Sequence, residues 1–174
     1  MINDSKVLYP LIDFYLGKGK DGCGRTINEV RNNDLKWLED THNYIQWLFP
    51  LREKSQYVNA PVLDNKQIEL FKENPLLCHE LLLSFKLILN FYGFSCDDKT
   101  SNIIIMKSPS FNDRKEIWIS SGNHNYLRIT RVIKCLSILG LENYAQAFFE
   151  CLQQVFIEEN IDKVAFQYWK QAVN

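Results

Sequence analysis

Residues 74–93 read NPLLCHELLLSFKLILNFYG, and this stretch decides the fold class. Asn74 is a helix-capping residue type, and Pro75 suits the first helical position, where an amide N–H has no partner to lose. Leu77, Leu81, Phe85, Ile88 and Tyr92 recur at the three- and four-residue spacing of a buried helical face. Gly93 supplies the stop. Ser84, Lys86 and Asn90 interrupt the apolar run from Leu81 to Phe94, which is too short and too polar to cross a bilayer. It therefore predicts a core helix, with His79 a core or boundary residue on it.

Signals of the same kind continue in both directions. Thr26 with Glu29 forms a capping-box pattern for a helix over 27–31, and Asp64 with Gln67 does the same for 65–72. Asp34 caps a helix expected to run to Leu48 or Phe49, where Pro50 stops it. Residues 51–63 read as a loop. Asn123 opens a helix to Leu139, with Gly140 past its end, and helices over 142–158 and 161–172 follow. Between them, Ile103–Met106 fits one short strand, and Ser110 fits the cap of a helix carrying Phe111, Ile117 and Trp118. The expectation is an all-α fold, with residues 1–174 forming a single compact bundle of about seven or eight helices.

Composition narrows the functional classes. Twenty Lys and Arg against 21 Asp and Glu give a formal charge of −1, without the basic excess usual for nucleic-acid binding. Five cysteines, an odd number without a CxxC pair, argue against a disulfide framework and against a cysteine zinc site. Met1–Lys6 is polar and lacks the apolar core of a signal peptide. The chain is expected to be soluble and cytoplasmic. Residues 16–24 hold four of the seven glycines but lack the Gly-Lys-Ser/Thr ending of a phosphate-binding loop, so they read as a flexible turn.

Two helices carry the informative polar residues. At about 100° per residue, Leu38, Ile45 and Phe49 centre one apolar face over 34–49. Glu39, His42 and Gln46 line its edge, while Lys36 and Trp47 fall on the back. Over 123–139, Ile129, Val132, Ile133, Leu136 and Leu139 form the apolar face. His124, Arg128, Arg131 and Cys135 share the opposite side. The plain reading makes both rows boundary residues that satisfy loop carbonyls, or an ion-pair lattice with Glu39. The functional reading makes them the two walls of one groove for an anionic or carboxylate-bearing ligand, which arginine suits through its bidentate fork. Tyr44 or Trp47 would supply an apolar wall. Enzyme templates fit poorly: Glu39-x-x-His42 has the spacing of a di-iron helix but no second copy, and a Cys135–His42 dyad has no local nucleophile signature. No catalytic residue, metal ligand or cofactor is assigned.

The most distinctive residues are Leu38-Glu39-x-x-His42-x-Tyr44-Ile45-Gln46-Trp47-Leu48-Phe49-Pro50, Asn59-Ala60-Pro61, Phe91-Tyr92-Gly93 and His124-Asn125-x-Leu127-Arg128-Ile129-Thr130-Arg131. In this order they resemble the conserved domain of the opioid growth factor receptor family, over about residues 10–155. The resemblance implies a receptor-type domain for a short, enkephalin-like peptide, with nuclear association and no membrane span. The family motif includes Glu39, His42, Gln46, Trp47, His124, Arg128 and Arg131, which are thus the candidate ligand-binding residues. The expected function is a non-enzymatic helical module binding a short peptide or another anionic ligand. The alternative is a small enzyme, or a phosphate- or nucleotide-binding protein, built on His42 and the Arg128/Arg131 row.

Overall fold

The apolar helix forms where its caps demand. In the computed structural model, which describes residues 9–173, α6 spans Pro75–Tyr92 and the Asn74 side chain accepts from the Leu76 amide at 3.0 Å. Leu77, Leu81, Phe85, Ile88 and Tyr92 are all buried, whereas His79 is exposed. Gly93 takes φ 86°, a left-handed conformation that redirects the chain at once. α5 (Asn65–Glu73) packs beside α6 and opens with the expected Asp64/Gln67 capping box. α2 (Ile27–Arg31) carries the Thr26/Glu29 box.

The expectation of an all-α bundle of seven or eight helices is overturned. Among the described residues there are ten helices and a two-stranded antiparallel sheet, and helices account for 59% of the chain. One extra helix is α1 (Pro10–Tyr15), whose Leu11, Phe14 and Tyr15 are buried. Another arises because the helix expected over 34–49 is broken into α3 (Leu35–Asp40) and α4 (Ile45–Leu48). Thr41 between them is extended, at φ −98° and ψ 127°. Thr, His and Asn at 41–43 are weak helix formers, and tertiary bonds take over the carbonyls a continuous helix would use. The sheet pairs β1 (Phe94–Asp97) with β2 (Ile104–Lys107), Phe94 opposite Lys107 and Cys96 opposite Ile105. β1 has only one large apolar residue, Phe94, so alternation gave no signal for it. That ring packs at 5.4–6.0 Å from those of Phe111, Trp118 and Phe148.

α7 (Phe111–Trp118) follows the sheet, and α8 (Asn125–Ile138), α9 (Glu142–Glu158) and α10 (Lys163–Val173) pack on one another. The N-cap of α8 is His124, one residue later than expected, and the Asn123 side chain just ahead of it accepts from the Asn125 amide at 2.9 Å. The glycine-rich segment is pinned rather than loose: buried Asp21 accepts from the amides of Cys23 and Arg25 at 2.9 Å and from Arg25 Nε at 2.7 Å. The polar stretch 1–6 lies outside the described residues. No described helix is long and apolar enough to cross a membrane.

Candidate ligand-binding cleft

The break between α3 and α4 builds the site. A helix end leaves carbonyls without partners, and its dipole favours cations there. Arg128, from the first turn of α8, fills both needs for α3. Its Nη1 donates to Leu38 O at 2.8 Å, and its Nη2 donates to Glu39 O at 3.2 Å and to Thr41 O at 2.9 Å. The same Nη2 donates to His42 Nδ1 at 3.1 Å. A guanidinium only donates, so this contact needs the tautomer that leaves Nδ1 free to accept. One turn along α8, Arg131 Nη1 donates to Phe49 O at 3.0 Å, at the end of α4. The basic row therefore clasps two helix ends that the sequence reading had joined into one helix.

Glu39 completes a polar cluster behind the clasp. Its carboxylate accepts from Asn125 Nδ2 at 3.0 Å and lies 3.3 Å from His124 Nε2 and 3.8 Å from Arg128 Nη1. Asn125 Oδ1 in turn accepts from Tyr92 OH at 3.2 Å and from Arg128 Nη1 at 3.4 Å. The rings of His42 and His124 meet edge to face, 5.0 Å apart. Desolvation holds the His124 pKa below its usual 6.5; Arg128 and His42 push the same way, and Glu39 opposes them. Desolvation likewise lowers the pKa of Arg131.

In front of the cluster lies a cleft of about 380 Å³. His42, Ile45 and Gln46 form one wall, and His124, Leu127, Arg128 and Arg131 form another. The third is the loop Lys54–Tyr57. No carboxylate lines it among the described residues. Neither Arg131 nor Lys54 has an ion pair among those residues, and the nearby Glu53 is engaged by Lys134. Gln46 is only 6% exposed, and its Oε1 is buried without a hydrogen-bond partner.

The structure thus gathers His42, Gln46, His124, Arg128 and Arg131 around one cleft and puts Glu39 just behind it. Trp47 is not on this cleft. It is buried edge-on against Phe14 at 5.3 Å and opens on a smaller cavity with Cys23 and Val58. The helical arithmetic set it on the back because it assumed an unbroken helix. Tyr44 is also no wall: it is buried, with its hydroxyl donating to Leu38 O at 3.0 Å. Ile45, Leu127 and Tyr57 supply the apolar surface instead. Lys54, Ser55, Gln56 and Tyr57 were missed. They sit in a loop without periodicity, tied across its neck by Leu63 N donating to Leu51 O at 2.9 Å. Cys135 lies within the field of Arg131, on the side expected, but is sealed in the core, where burial pushes its thiol pKa up.

Residues 12–174 match the family described as "Opioid growth factor receptor (OGFr) conserved region". The chain belongs to the opioid growth factor receptor family. It is 36% identical over 153 residues to mouse opioid growth factor receptor-like protein 1, covering 84% of this chain and 32% of that relative. It is 39% identical over 130 residues to the rat opioid growth factor receptor, covering 75% and 21% respectively. The human opioid growth factor receptor is 36% identical over 134 residues, which cover 77% of this chain and 19% of the receptor. The chain thus spans a third or less of the length of these relatives. No solved structure matches it. Every cleft residue lies within the span that matches the opioid growth factor receptor family.

Proposed function

We propose that this is a non-enzymatic receptor domain that binds an anionic ligand, a short peptide first among the candidates, in the cleft between α8 and residues 42–57. The observation that carries this reading is an excess of positive charge at the cleft, offset at Arg131 only by the field of the neighbouring Glu53 carboxylate. Arg131 and Lys54 border a cleft lined by no carboxylate among the described residues, and neither has an ion pair there. A desolvated arginine gains most from an anion that can take two of its donors. The relatives' name, receptor, supports a binding role. A phosphate-bearing ligand is the second reading, favoured by the two imidazoles that line the same cleft as Arg131. A cytoplasmic or nuclear location belongs to the same proposal, supported by five cysteines that are all free thiols.

The test is a thermal-shift screen of short peptides, nucleotides and inorganic phosphate against the chain and its Arg131→Gln variant. A ligand at 100 times its Kd adds about 2.7 kcal/mol of stability. The proposal expects a peptide to stabilise the parent chain and not the variant. Stabilisation by none of these ligands, or equal stabilisation of both chains, overturns it.

A further inference from the structure

The cleft offers more than charge. Gln46 stands three residues before Phe49, so both lie on one side of α4, and Phe49 O is the acceptor that holds Arg131. Gln46 shares the cleft with Arg131. It lines the cleft, is more than nine-tenths buried, and has a buried oxygen without a donor among the described residues. A buried carbonyl oxygen without a donor is costly and rare in folded proteins. No side chain among the described residues donates to it; the Arg128 donors go to α3 and the following turn.

Resting on the anion-binding reading above, we infer that the cleft recognises the C-terminal end of a peptide. The terminal carboxylate meets Arg131 and Lys54, and the last amide N–H meets the Gln46 carboxamide. A carboxylate alone carries no donor for Gln46 at neutral pH, and inorganic phosphate, which keeps a P–O–H, has no apolar group to set against Leu127 and Tyr57. A free ammonium would supply a donor, but only by placing a cation beside Arg131 and Lys54. In an acylated terminal residue, the N–H and the carboxylate are separated only by the α-carbon and are both satisfied at once. Leu127, 71% exposed at the rim, and the ring of Tyr57 offer apolar contact to the last side chain. Capture of a peptide terminus by convergent donors is a recurring mode of recognition.

The probes are acetyl-alanyl-leucine, acetyl-alanyl-leucinamide, sodium acetate and inorganic phosphate, each titrated into ¹⁵N-labelled protein at neutral pH. The side-chain signals of Gln46 and Arg131 are followed. The expected result is that the acid moves both signals and that the amide binds roughly tenfold or more weakly, as a site built to pair a polar group rejects its absence. In Gln46→Met the Arg131 response to acetate should persist, while the preference of the acid over acetate is lost. Equal binding of acid and amide overturns the terminus inference and leaves the cleft as a peptide site. Arg131 shifts with acetate or phosphate as large as with the acid, whether or not Gln46 moves, show a plain anion site and also overturn it. Silence of both signals with every probe overturns the inference and the anion-binding reading together.

Discussion

The guanidinium of Arg128 donates to the carbonyl oxygen of Leu38 at 2.8 Å, closing the end of α3 from a residue 90 positions further along the chain. This bond explains how α3 can stop at Asp40 without a glycine or proline. The orphan carbonyls are satisfied by a buried cation instead of solvent. It also ties the fold to the cleft, because the same guanidinium orients His42.

Arg128→Met should be strongly destabilising. It removes the donors to Leu38, Glu39 and Thr41 carbonyls and leaves Glu39 with one fewer cation. The loss expected from breaking such a buried network is about 3–5 kcal/mol. Arg128→Lys should recover only a minor part, since a single ammonium cannot span acceptors on both sides of the fork. Urea unfolding of the three proteins measures this. A change smaller than that of an ordinary surface substitution would contradict the clasp.

Much of this architecture was legible from local chemistry, and the break was not. Caps at Thr26, Asp64 and Asn74 and the stop at Gly93 act within one turn, so residue types report them directly. The apolar face of α8 was likewise readable, because Ile129, Val132, Ile133 and Leu136 need only periodicity. The gap at 41–44 is different. It depends on acceptors at 38–41 being met by a residue of α8, a long-range fact with no local mark. Everything computed from a continuous helix then inherited the error, including the position of Trp47. The pairing of Glu39 with Arg128 survived, since opposite charge had to meet somewhere within the core boundary. The loop 54–57 gave no signal, because nothing local reveals which cavity a loop will line.

Phe49 tests the core beneath the cleft. Its side chain is fully buried, so Phe49→Ala should cost about 3–5 kcal/mol. Lys36 is exposed on the far side of α3, paired only with Asp40. Lys36→Ala should leave the urea midpoint where it is. Comparable shifts at the two positions would mean that the short helices are rotated from the arrangement described.

Gly93 tests the turn from α6 into the sheet. At φ 86°, an added Cβ would stand 2.7 Å from Phe111 Cα and 3.0 Å from Arg114 Cβ. The left-handed conformation alone costs a non-glycine residue about 1–2 kcal/mol, and the backbone collision adds to it. Gly93→Ala should therefore lower stability by more than about 2 kcal/mol, against a change near zero if the turn could relax. At Gly122, φ 68° with nothing near the Cβ position, the same replacement should cost only the conformational part. Thermal unfolding of the pair separates strain from collision.

His124 links the cleft to pH. Its folded-state pKa lies below the usual 6.5, chiefly through desolvation, with Arg128 and His42 acting in the same direction against Glu39. The fold therefore favours the neutral ring. Above pH 6.5 the unfolded chain is also neutral there, and this contribution to stability is fully present. As pH falls below 6.5, the unfolded chain takes up the proton first, and the contribution is lost down through the folded-state pKa. An anion in the cleft offsets the local positive charge and raises the pKa of the ring, so anion binding should take up a proton and tighten on mild acidification. The imidazole ¹H signals of His124, followed by NMR from pH 8 to pH 4 with and without inorganic phosphate, measure both effects (a range of roughly two pH units either side of an unperturbed histidine). The midpoint should lie below 6.5 without phosphate and move upward with it. In Arg131→Gln the upward movement should shrink, because the anion has lost its main partner while the desolvation of His124 remains. A midpoint above 6.5 in the free protein, or one that phosphate leaves in place, would break the link between His124 and the cleft.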